Sequence, residues 1–120
     1  MKKRKLVIGI STLSAALKQT LKNAKRAEKG LPIDNTERLS FVDQATLFAI
    51  LSPKRMELTR YLRQNGPMSA RQLAKNLARD YKNIHQDIKL LLRLGLVSTN
   101  KDKEYIVPWD EITIELALAA

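Results

Sequence analysis

The 120-residue chain contains no cysteine. Disulfides and thiolate zinc sites are thereby excluded, and a reducing cytosol is permitted. It has one histidine, His85, with no second imidazole to share a metal or a proton. A Ser-His-Asp set is formally possible, but no serine stands in a nucleophile elbow. Four glycines lie far apart, and none belongs to a phosphate-cradling loop. Aromatic residues make up only 5%, which argues against a base-stacking platform. No apolar run is long enough to span a bilayer. Without a converging acid, base, nucleophile or metal site, neither enzymatic activity nor a cofactor is expected.

What the chain has in excess is positive charge. It carries 22 Lys/Arg against 12 Asp/Glu, a net of +10, with a pI near 10.1. That balance suits a polyanionic partner, nucleic acid ahead of an anionic membrane. The charge is uneven. Residues 1–30 hold nine Lys/Arg against one acid, and residues 52–94 hold ten against three. Residues 31–51 sum to −2 and residues 95–120 to −3. The two basic blocks need separate explanations. A length of 120 residues fits one domain with a modest core, and apolar residues at 44% exclude compositional disorder.

The opening "MKKRKLVIGISTLSAAL" has the basic start and short apolar stretch of a secretory signal. Ser11, Thr12 and Ser14 interrupt it, and a helical pattern continues through Leu17, Leu21, Ala24 and Ala27. A cytoplasmic chain is therefore expected. Residues 5–11 alternate Leu6, Ile8 and Ile10 against Val7 and Gly9, a strand pattern. Residues 12–29 form an amphipathic helix. Its apolar stripe is Leu13, Ala16, Leu17, Thr20, Leu21, Ala24 and Ala27, and Lys18, Lys22, Lys25 and Lys29 lie opposite. Gly30 and Pro32 stop it. Residues 31–37 are linker-like and residues 38–41 extended. Residues 41–51 read as a short helix with Ser40 as N-cap and Asp43 at N3.

The second basic block is punctuated by helix signals. Ser52-Pro53 opens a helix and Gly66-Pro67 closes it. Ser69 with Gln72 is a capping box for a helix from Ala70, with Leu73, Ala74 and Leu77 turned inward. After a short break at residues 78–80, Asp80 caps a longer helix that Gly95 ends. The period then changes. "LVST", "NKDK" and "EYIV" make a hairpin with a charged tip, and Ile112, Ile114, Leu116 and Leu118 alternate as a final strand.

Helix, short helix, tight turn, longer helix and β-hairpin, in that order, form a winged helix-turn-helix. The expected class is mainly α with a small β-wing (α+β), an N-terminal strand-helix arm and a C-terminal strand. Residues 1–37 would be a basic arm for dimerisation or partner binding, and residues 38–120 the DNA-binding domain. On a 100° wheel Ile84, Ile88, Leu91 and Leu92 face the partner helices, with Leu90 and Leu94 under the wing. Lys82, His85, Gln86, Lys89 and Arg93 share the other flank. A major groove admits such a helix. Asn83 and Gln86 can pair with an adenine edge, and Lys or Arg with guanine acceptors. Ser69 and Arg71 start the preceding helix, where free N–H groups suit a phosphate. Arg79 and Tyr81 are further candidate DNA contacts, and Lys101 and Lys103 flank the hairpin tip, where a wing could follow the phosphate backbone or enter a minor groove.

The segment "LSPKRMELTRYLRQNGPMSARQLAKNLARDYKNIHQDIKLLLRLGLV" resembles the MarR-like winged helix-turn-helix family of prokaryotic transcriptional regulators, and the tail "YIVPWDEITIEL" is similar to tails in that family. "LARDYKNIHQDIKLL" is the most specific part, and the resemblance spans residues 51–118. It implies a regulator or an antitoxin-like DNA binder. MarR relatives that sense small phenolic ligands have longer terminal helices, so ligand sensing is not carried over.

Bland readings stand beside these. A basic helix face is usually just solvated. His85 is a polar contact sooner than a metal ligand, and Tyr81 packs on a neighbour as readily as it meets a phosphate. Trp109 belongs to the core or a dimer interface. The Lys18–Lys29 stripe serves solubility, and residues 2–5 either track phosphates or are disordered. The expectation is a homodimeric, sequence-specific regulator that binds double-stranded DNA. Its rival is an antitoxin-like protein that neutralises a partner toxin protein and autoregulates by DNA binding. An RNA-binding module ranks third.

Overall fold

The computed structural model describes residues 3–10, 13–30 and 36–116. Among the described residues the chain is mixed α/β, with five helices and two small sheets. Its contacts divide it into two compact units: residues 1–50 with 110–120, and residues 51–109. The boundary expected at 37/38 is not where the contacts divide, because the segment after it is tied by strand pairing to the first strand.

The first unit contains β1 (Lys5–Ile10), α1 (Leu13–Glu28), β2 (Glu37–Phe41), α2 (Gln44–Ile50) and β5 (Glu111–Ile114). The three strands form one parallel sheet in the order β2-β1-β5. Ile8 stands level with Leu39 on one side and Ile114 on the other. Since side chains alternate along a strand, Leu6, Ile8, Leu39, Phe41, Ile112 and Ile114 share a face, and Leu6, Ile8 and Phe41 are buried on it. α2 contacts β1 and β2, with Leu47 buried. The other face pairs Lys5 with Glu111 at 3.7 Å and Arg38 with Glu115 at 3.9 Å. Such exposed pairs contribute about 0–1 kcal/mol each. Their effect on charge is larger: acids of the C-terminal strand lie against the basic N-terminus. Arg4 joins them, through Glu37 at 3.3 Å and through its N–H to Asp110 Oδ2 at 2.7 Å. Arg4 and Lys5 are thus built into a sheet and not part of a loose arm. Residues 1–2 of that arm, residues 31–35 of the linker-like stretch and residues 117–118 of the final strand's pattern lie outside the described residues.

α2 starts later than its expected cap. Ser40 and Phe41 are in the ladder beside Gly9 and Ile10, so the chain turns only after them. Asp43 takes the capping role, its Oδ1 accepting from the Thr46 N–H at 2.7 Å. On α1 the described part of the apolar stripe is outward, with Leu17 56% and Leu21 63% exposed, while Asn23 and Arg26 are half-buried. The side chains of Leu13 and Ala16 are outside the described residues.

The second unit contains α3 (Pro53–Asn65), α4 (Ala70–Asn76), α5 (Tyr81–Leu94), β3 (Ser98–Thr99) and β4 (Tyr105–Ile106). Each start follows a cap. Ser52 Oγ accepts from Arg55 N, Ser69 and Gln72 form a capping box, and Asp80 accepts from Lys82 N. Ends follow from backbone needs. Gly66 closes α3, and Gly95 adopts φ 79, the left-handed turn that ends α5. Leu58 and Leu62 of α3, Leu73 of α4, and Ile84, Ile88 and Leu91 of α5 are fully buried. Each contributes about 1.5–3 kcal/mol relative to exposure. Trp109 belongs to this core, its Nε1 donating to the Gly95 carbonyl at 2.8 Å. β3 and β4 are antiparallel, and Met68 joins them by exchanging backbone hydrogen bonds with Tyr105. Among the described residues no helix is long and apolar enough to cross a membrane.

Candidate nucleic-acid interface

The second unit holds twelve Lys/Arg against five Asp/Glu, a net of +7, while the first holds ten against seven, +3. Most of the excess charge therefore belongs to the smaller unit. On α5 the division between faces is sharp. Ile84, Ile88 and Leu91 are at 0% exposure, whereas Tyr81, Lys82, Asn83, Gln86, Lys89 and Arg93 are exposed. Leu92 is only half-buried, as are Leu90 and Leu94. The helix is thus held by a narrow apolar seam, and its other flank presents two amides and three cations to solvent.

His85 is half-buried, and its environment explains why. Its ring stacks on Tyr81 at 5.8 Å between centroids, and the Arg71 guanidinium lies 5.7 Å from the Tyr81 ring centre. Arg71 from α4, with Tyr81 and His85 from α5, forms a stack that ties the starts of the two helices together. A cation over an aromatic face gains about 0.5–1 kcal/mol at exposed sites. Tyr81 thus packs on its neighbours while remaining open to solvent. Among the described residues, no group of three or more His, Asp or Glu is placed to hold a metal ion.

Two of the sequence-predicted contacts are used otherwise. Ser69 is half-buried; its hydroxyl accepts from Gln72 N at 3.2 Å and its N–H donates to Gln72 Oε1 at 2.8 Å. The expected capping box thus engages the Ser69 hydroxyl and the N–H groups of Ser69 and Gln72. Arg79 turns inward, with its side chain 15% exposed, and Nη2 donates to Asp87 Oδ2 at 2.7 Å. The other oxygen of Asp87 accepts from Arg55 Nε of α3 at 3.0 Å. Neither Asp87 nor Arg55 was picked out from the sequence. The signal was present: Asp87 falls three residues after Ile84 and four before Leu91, an acid within the apolar arc.

Lys101 and Lys103 are exposed between β3 and β4. Asn100 shapes that tip, its Oδ1 accepting from the N–H groups of Asp102 at 3.0 Å and Glu104 at 2.9 Å. Lys103 has φ 63, a left-handed turn held by its N–H donating to the Asn100 carbonyl. The tip therefore presents its lysines from a hydrogen-bonded loop.

No curated protein and no solved structure matches the chain. One family model, HVO_A0114, matches residues 50–114, which take in α3, α4, α5, β3, β4 and β5. That span covers more than half of the 120 residues, so the chain belongs to the HVO_A0114 family.

Proposed function

We propose that the chain is a sequence-specific DNA-binding regulator, with α4 and α5 as a helix-turn-helix and the β3–β4 hairpin as its wing. The observation that carries this reading is α5 itself. One flank is fully buried, and the opposite flank exposes Lys82, Asn83, Gln86, Lys89 and Arg93. Asn and Gln supply a paired donor and acceptor for an adenine edge, and Lys and Arg supply donors for guanine or phosphate. The Met68–Tyr105 pairing supports the wing, since it anchors the hairpin to the segment just before α4. The sequence resemblance to MarR-like regulators belongs to the same proposal. Arg71, Lys101 and Lys103 would lie on phosphates, with Asn83 and Gln86 on base edges.

The regulator would act as a homodimer, because one such module covers too little DNA to select a site among many competitors. The outward Leu17 and Leu21 of α1 are the surface that supports this. The same stripe would serve the antitoxin reading, in which a partner protein covers it. Selection from a random duplex pool tests the proposal. A recurrent motif with two-fold symmetry is expected, and its affinity should fall on a log–log salt plot by about 0.9 per neutralised phosphate. A pool that never enriches, or binding indifferent to salt, overturns it.

A further inference from the structure

We propose that Asp87 is a specificity-determining positioning residue: pinned by Arg55 and Arg79, it sets the rotation of α5 about its axis. The proposal rests on the DNA-binding reading and assigns a task that no outward residue of α5 performs. Among the described residues Asp87 is the one buried charged side chain, at 8% exposure. Its two oxygens are held from two elements, Arg55 Nε of α3 at 3.0 Å and Arg79 Nη2 at 2.7 Å. Arg79 is itself tied to α4, since its N–H donates to the Ala74 carbonyl at 2.9 Å. One carboxylate therefore links α3, the α4–α5 turn and α5.

Stability alone is a poor reason for such a cluster. Desolvating these charges offsets much of their attraction, and apolar residues of similar volume often hold a core as well. Arg79 Nη1 is moreover buried without an acceptor, a cost that an apolar contact would not carry. What the cluster adds is direction. Ile84, Ile88 and Leu91 make non-directional contacts that tolerate a small roll of the helix. Two charge-assisted hydrogen bonds to opposite oxygens of one carboxylate do not. A helix with side chains is about 10–12 Å across, so a roll of about 10° moves its rim by about 1 Å. That shift is enough to spoil hydrogen bonds from Asn83 and Gln86, whose useful range spans only a few tenths of an ångström. Phosphate contacts made by flexible lysines absorb it.

Asp87→Glu keeps every charge and moves the pin by one methylene. Its affinity for unselected duplex and the salt slope should stay as in the wild type. The preference for the selected site over a scrambled one should fall at least tenfold. Arg55→Met, which leaves Asp87 paired with Arg79 alone, should lose preference in the same direction. Two folded variants that keep wild-type preference overturn the proposal. So does loss of fold in both, since the cluster then serves stability. A wild-type chain that selects no sequence sinks the DNA-binding reading instead. The amide spectrum of the free protein then decides the pin: displaced Asn83 and Gln86 resonances in Asp87→Glu support it, and unchanged ones overturn it.

Discussion

Gly66 and Gly95 both end helices, but they are needed for different reasons. Gly66 has an ordinary φ of −73, yet a Cβ there would meet the Leu62 carbonyl oxygen at 2.6 Å. Gly95 has open space around it but sits at φ 79. Gly66→Ala should destabilise the chain by about 1–3 kcal/mol through overpacking, and Gly95→Ala by about 1–2 kcal/mol through left-handed strain. Gly95→Asn should recover part of the second loss, since Asn tolerates that region, whereas Gly66→Asn should recover nothing. Urea unfolding measures all four. Equal rescue by Asn at both sites would refute the distinction. A comparable contrast separates Gln86 from Lys101, both exposed. On the proposed function, Gln86→Ala should cost about 1–3 kcal/mol at its preferred site and blur one base pair. Lys101→Ala should weaken all duplexes about equally. Identical specificity profiles for the two variants would remove the division between readout and positioning.

Among the elements, what was legible was local. Capping boxes, Ser-Pro starts and glycine stops lie within a few residues of each other, so α3, α4 and α5 could be placed from sequence, as could the hairpin. The parallel sheet could not, because β1 pairs with strands that follow it by about thirty and about a hundred residues, and no neighbouring residue encodes that choice. The short β2 drew Ser40 into its ladder and left the α2 cap to Asp43. The candidate site divides in the same way. Its outward side chains follow from the helical period, while the inward turn of Arg79 depends on Asp87 and Arg55, which only the packed fold brings together. Asp43 gives a pH test of its element. The Thr46 side chain, and then the Thr46 N–H, hold its carboxyl below its usual range. A carboxyl lowered in the folded state stabilises above its unfolded value, about 3.9, and loses that contribution as pH falls through the lowered value. Asn caps equally well without titrating. The stability difference between wild type and Asp43→Asn should be flat above about pH 5 and shift against the wild type below about pH 4. A difference that stays flat to pH 2 would refute the assignment.

For the molecule as a whole, the two basic blocks resolve differently. The block in residues 52–94 stays largely open to solvent, while the N-terminal block is partly answered by Glu37, Asp110 and Glu111 through the sheet. Besides the exposed Lys18, Lys22, Lys25 and Lys29, the first unit leaves apolar side chains open: Leu17 and Leu21 on α1, with Val42 at 79% and Phe48 at 48% exposure. A helix that turns Leu17 and Leu21 to solvent and half-buries Asn23 and Arg26 offers those leucines to a second copy on the proposed function. If that is its use, sedimentation at micromolar concentration should give about twice the 13.6 kDa of one chain. Leu17→Ser with Leu21→Ser should give the monomer without unfolding it, because both side chains are already exposed. The variant should keep its affinity for a half-site and lose the gain from a paired one. A double variant that remains dimeric moves the interface to β2 and β5, the outer strands of the sheet among the described residues, since a sheet edge can take up another strand. A wild-type chain that sediments as a monomer and selects an operator without two-fold symmetry removes the dimer, and with it any reason for α1 to face outward on that account.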